Sequence, residues 1–97
     1  MNEWRRTVKT GKRDANEAPI IQALEKCGWF VWQLSDKDWP DLFIARAGRK
    51  ELVEVKDKNQ EQSDGQKRLA KELLAFSVHV YVAYTPEQLI EDLEIYP

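Results

Sequence analysis

The stretch from Pro40 to Lys56 constrains this chain more than any other. Two short apolar runs, Leu42 to Ala45 and Leu52 to Val55, flank a break at Ala47-Gly48-Arg49, which is the punctuation of a tight β-hairpin. Asp41 opens the first run, and Glu54 and Lys56 close the second. Residues two apart on a strand share a face, so Glu54 and Lys56 point one way while Val53 and Val55 point into the core. Antiparallel pairing sets the start of one strand beside the end of the other, which puts Asp41 near Glu54 and Lys56. Two carboxylates and one ammonium then meet on a small patch. A divalent cation needs an oxygen cluster of this kind, and phosphodiester hydrolysis needs a cation. Taken without context, the same residues also read as a cross-strand ion pair on a solvated face, contributing ~0.5 kcal/mol, with Asp41 as a turn acid.

The segments around the hairpin have their own signals. Residues 1 to 13 lack apolar periodicity and carry Arg5, Arg6, Lys9, Lys12 and Arg13 against Glu3. They read as a basic arm, either gripping phosphates or keeping the chain in solution, with the domain proper spanning 14–97. Asp14 to Pro19 looks like a helix start, with an Asx cap, an early acid and a proline in the first turn. Ile20, Ile21, Leu24 and Cys27 follow at helical spacing, which predicts Cys27 on the buried side, and Gly28 ends the run. Trp29 to Leu34 is aromatic and β-branched and predicts a strand, with Phe30, Trp32 and Leu34 on one face and Trp29, Val31 and Gln33 on the other. The polar loop after it offers Ser35 and Lys37, either to phosphate or to solvent.

Asp57 to Gln62 has no apolar residue and reads as a loop or flap carrying Lys58. Ser63 and Gln66 have capping-box spacing at the start of a helix that carries Lys67 and Lys71 in its first turns and Leu69, Leu73, Leu74 and Phe76 as an apolar face. Val78 to Tyr84 predicts a strand on which the one histidine, His79, is a surface or edge residue. Thr85-Pro86 opens a last helix packed by Leu89, Ile90, Leu93 and Ile95. The order is helix, three strands, helix, strand, helix. A meander followed by a helical crossover gives a mixed sheet flanked by helices, an α/β fold.

Pro40-Asp41, then Glu54-Val55-Lys56 after a hairpin-length gap, resembles the signature of the PD-(D/E)xK nucleases. With Asp14-Ala15-Asn16 before a helix, Trp39-Pro40-Asp41-Leu42, Leu52 to Asp57 and the later Gln66, the text is similar to a stand-alone VRR-NUC domain over roughly residues 13 to 85. The resemblance implies a restriction-endonuclease-like αβββαβ core and a metal-dependent DNA endonuclease. It implies Mg²⁺ or Mn²⁺ held by Asp41, Glu54 and the carbonyl of Val55, with Lys56 orienting or deprotonating the attacking water. It offers Glu17 as a first-helix acid assisting the metal, or simply as a helix N-terminal acid. It offers Gln66 as a residue reaching back to the site, with capping of Ser63 as the alternative. Arg5, Arg6, Lys9, Lys12, Arg13, Ser35, Lys37, Lys58 and Lys67 are the expected nucleic-acid contacts. Stand-alone VRR-NUC proteins resemble Holliday junction resolvases, and many are encoded by phages. That implies branched DNA as substrate and a C2 homodimer, because cutting two strands needs two sites. Two other readings stand beside this one: a non-catalytic nucleic-acid- or protein-binding module of the same fold, and a nicking or restriction-like nuclease that needs a partner.

Composition sets the outer bounds. Ninety-seven residues suit one core. The 42% hydrophobic and 33% charged content reads as a soluble globular chain. No apolar run approaches the ~18 residues of a membrane span, and no h-region marks a secretory signal. A single cysteine suits a reducing cytoplasm and, with one histidine, argues against a zinc site. A net charge of −2 is unusual for a DNA-binding chain. Residues 1 to 13 nevertheless set five bases against one acid, and four acids gather between Glu87 and Glu94, so one basic face remains compatible with phosphate.

Overall fold

A computed structural model describes residues 15–95 of the chain, in the order α1 (Glu17–Lys26), β1 (Phe30–Gln33), β2 (Leu42–Arg46), β3 (Arg49–Val55), α2 (Asp64–Leu74), β4 (Val80–Ala83) and α3 (Pro86–Ile95). The basic arm with Arg5, Arg6, Lys9, Lys12 and Arg13 lies outside the described residues. The element order is the one expected from periodicity and punctuation. The strands form one sheet in the order β1-β2-β3-β4, with the first two pairings antiparallel and β3–β4 parallel. This is the mixed sheet of a restriction-endonuclease-like α/β core.

The hairpin closes with Arg46 opposite Arg49, leaving Ala47 and Gly48 as a two-residue turn. Both have positive φ, 51° and 86°, as the type I′ turn demands to match strand twist. Glycine adopts this freely, whereas alanine is strained there. Ala47→Asn, which supplies the preferred Asn-Gly pair, should therefore raise stability by about 1 kcal/mol. That is a gain of roughly 4–8 °C in thermal midpoint, measurable by circular dichroism. β3 starts earlier than the apolar run suggests, because Arg49, Lys50 and Glu51 are paired with Arg46, Ala45 and Ile44.

Period-two alternation divides the sheet as expected. Trp29, Val31, Leu42, Ile44, Val53, Val55, Tyr81 and Ala83 join Ile20, Ile21 and Leu24 of α1 and Leu89 and Leu93 of α3 in one core. α1 and α3 pack on each other and on this face. Ile95, expected to pack α3, is 59% exposed, at the end of the helix. Cys27 departs from the expectation of burial and is exposed. α1 ends at Lys26, and Gly28 turns the chain away with φ +88°, so Cys27 lies past the last turn that faces the core. Beyond it, the guanidiniums of Arg46 and Arg49 lie 4.6 and 5.3 Å from the Trp29 ring. Arg46 also donates to the Cys27 carbonyl and Arg49 to that of Leu93, tying the hairpin to both helices.

α2 lies across the β3–β4 crossover and is thinly packed, with none of its residues buried. Leu69 and Leu73 are half-buried, whereas Leu74 is 52% and Phe76 79% exposed. At the edge of the described sheet, the Gln88 amide accepts from Tyr84 N at 2.7 Å and donates to the Val82 carbonyl at 3.0 Å. Its own backbone N–H is capped by Thr85 Oγ1. His79, one residue before β4, is exposed, as expected of a surface residue.

Candidate active site

The register Leu42↔Val53 brings the chain entering β2 alongside the end of β3. Asp41 Oδ2 accepts from Val55 N at 2.8 Å, so the Asp41 carboxylate is held against the Glu54–Lys56 segment. Leu34 N donates to the Asp41 carbonyl, which fixes the backbone from the other side. Lys56 Nζ lies 3.4 Å from Glu54 Oε2, the same-face pair that strand periodicity requires. Asp41, Glu54, Val55 and Lys56 are therefore brought together.

Glu54 is the unusual member. It is 1% exposed, among the most buried side chains of the chain, although it points away from the apolar core. Gln62 Nε2 donates to its Oε1 at 3.0 Å. Its Oε2 is buried and has no hydrogen bond, the Lys56 ammonium beside it lacking the geometry for one. A buried carboxylate oxygen without a hydrogen bond is costly unless a cation completes its surroundings. Among the described residues, no three His, Cys, Asp or Glu side chains form a metal cluster. A cation here would therefore rest on Asp41, Glu54, the Val55 carbonyl and water, a mixed oxygen set that suits Mg²⁺.

Two amides that the sequence reading did not assign to the site tie it to its surroundings. Asn16, the N-cap position of α1, makes no capping bond with its side chain. It donates instead from Nδ2 to the Lys56 carbonyl at 3.0 Å, and so joins the start of α1 to the end of β3. The Asx cap expected there is replaced by this tertiary bond. Glu17, next along, is 4% exposed, and its Oε2 accepts from Gln33 Nε2 at 3.2 Å. Gln33 pairs with Leu42, the residue after Asp41, so Glu17 is held on the α1 side of the strand end that carries the site.

Gln66 is turned toward its own helix. Its Oε1 accepts from Ser63 N at 2.8 Å, while Ser63 Oγ accepts from Gln66 N at 3.1 Å. Both halves of the capping box are present. Ser35, Lys37 and Lys58 are exposed. Lys67 is exposed and 3.6 Å from Glu61, a solvent-exposed ion pair.

An αβββαβ core with Asp41, Glu54 and Lys56 converging where β2 and β3 meet has the build of a restriction-endonuclease-like domain. Comparison with solved structures gives the narrower likeness. The chain is similar to a solved VRR_NUC domain at 26% identity and a TM-score of 0.70, over 87% of this chain and 100% of that one. A second structure, a VRR_NUC domain protein, shares the fold at 22% identity and a TM-score of 0.51, over 97% of this chain and 79% of that one. The VRR-NUC resemblance of the sequence is thus borne out at the level of the fold. No protein-family model matches the chain, and no curated protein matches it. Among the described residues, no helix is long and apolar enough to cross a membrane.

Proposed function

We propose that this chain is a metal-dependent, structure-specific DNA endonuclease that hydrolyses phosphodiester bonds at branched DNA such as Holliday junctions. The observation that carries the reading is Glu54, a buried carboxylate with an orphaned oxygen beside Lys56 and the Asp41–Val55 clasp. Similarity to VRR_NUC domains supports the nuclease class.

In this reading Asp41, Glu54 and the Val55 carbonyl would hold Mg²⁺ or Mn²⁺. When bound, the cation would supply Lewis-acid polarisation of the phosphodiester and a water of lowered pKa. Lys56 orients that water and stabilises charge developing on the phosphate oxygens. Glu17 supports the site from α1, and Gln66 supports it by fixing the start of α2. Ser35, Lys37, Lys58, Lys67 and the basic arm contact the DNA backbone. Two such sites in a C2 homodimer would cut opposite strands of a junction. The exposed Leu74 and Phe76 give a second copy apolar surface to cover. A phage or bacterial cytoplasm is the proposed setting.

Incubation of a labelled four-way junction and a linear duplex with Mg²⁺ or Mn²⁺, alongside Lys56→Ala, tests the proposal. Cleavage of the junction in preference to the duplex, reduced at least about a hundredfold in the variant, is the expected result. Binding of the junction without cleavage would point to the non-catalytic module or to a nuclease that needs a partner. Neither binding nor cleavage would overturn the reading.

A further inference from the structure

We infer that Gln62 is a positioning residue for the cation site, holding the Glu54 carboxylate so that Oε2 faces the metal. The inference rests on the metal-dependent reading above and adds to it a residue that the motif does not contain. Gln62 lies in the loop between β3 and α2, where its neighbours Gln60, Glu61 and Ser63 are exposed. Gln62 alone of these is half-buried, and its amide nitrogen reaches Glu54 Oε1 at 3.0 Å. The nitrogen has to face the carboxylate, because the amide oxygen in that place would repel it. One Glu54 oxygen is thereby hydrogen-bonded, and the other, 3.4 Å from the Lys56 ammonium, has no hydrogen bond. A carboxylate fixed through one oxygen has lost its freedom to rotate, and the second oxygen keeps a defined direction.

The backbone anchors this contact. Gln62 immediately precedes Ser63, the N-cap residue of α2, whose side chain and amide are both engaged by Gln66. The capping box holds the base of the Gln62 side chain at a set distance from β3. Gln66 thus acts on the site through Gln62, while its own side-chain oxygen stays on Ser63.

The test is calorimetric titration of Mn²⁺ into the full chain and into Gln62→Leu, with Glu54→Gln as the ligand-loss control and the metal-free thermal midpoint recorded for each. Outer-shell partners of metal ligands are typically worth 10–100-fold in affinity. The Mn²⁺ dissociation constant of Gln62→Leu should rise by about tenfold or more, and its metal-free midpoint should fall, because buried Glu54 Oε1 loses its hydrogen bond. A lowered midpoint with unchanged affinity would make Gln62 merely structural and overturn the inference. Tighter binding would show Gln62 competing with the cation, and would overturn it equally. Saturable binding that is the same in both chains removes Gln62 and leaves the cation site standing. No saturable binding by the unaltered chain removes both. If Gln62→Leu does not fold, Gln62→Met, which keeps the length of the side chain and deletes its amide, takes its place with the same criteria.

Discussion

Glu54→Gln is expected to abolish DNA cleavage while leaving the fold in place. The substitution preserves volume and an oxygen for the Gln62 amide, but removes the charge that would bind a cation. Loss of the Lewis acid forfeits several kcal/mol of transition-state stabilisation, so the rate should fall by at least about a thousandfold. The thermal midpoint should stay within a few degrees, because the packing around this 1%-exposed side chain is unchanged. Asp41→Asn should behave in the same way. Its side-chain oxygen still accepts from Val55 N, whereas alanine at that position would strand the amide and confound the result with lost stability. Gel-resolved cleavage with melting curves checks both. Cleavage at the unaltered rate by either variant would remove the assigned site.

The second large effect is on stability. Leu24 is fully buried between α1, α3 and the sheet. Leu24→Ala should cost about 2–5 kcal/mol, lowering the thermal midpoint by roughly 10–30 °C in a domain of this size. A small core contains little to compensate, and the cavity would open where the two helices meet. Chemical denaturation followed by tryptophan fluorescence gives the number directly. A loss below about 1 kcal/mol would mean that the helices close over the void.

Much of this is legible in the amino-acid sequence. The hairpin, its turn and the shared face of Glu54 and Lys56 follow from a period of two and from Ala47-Gly48, both of them local signals. The capping box at Ser63 is there only the alternative to a Gln66 that reaches the site, and the fold gives the Gln66 oxygen to Ser63 N. The misreadings arose where a local pattern met a tertiary demand. Cys27 fits a helical stripe, but the helix stops one residue before it. Asn16 has the look of a cap, yet its amide reaches forty residues along the chain to Lys56. Leu74 and Phe76 form an apolar pattern that the described fold leaves exposed. Gln33 and Gln62 carried no signal, because glutamine is common in loops and strand ends and only the folded chain shows which carboxylate it meets.

The Gln88 amide closes part of an exposed sheet border. An outer strand normally presents a row of open donors and acceptors to any other extended chain. At the end of β4 the Val82 carbonyl and Tyr84 N–H are instead engaged by one side chain that stands in for a neighbouring strand. Sheet-to-sheet addition along this border would first have to displace that glutamine, which its own helix holds in place. The open-ended stacking of strands that leads to fibres is thereby discouraged at this end of β4.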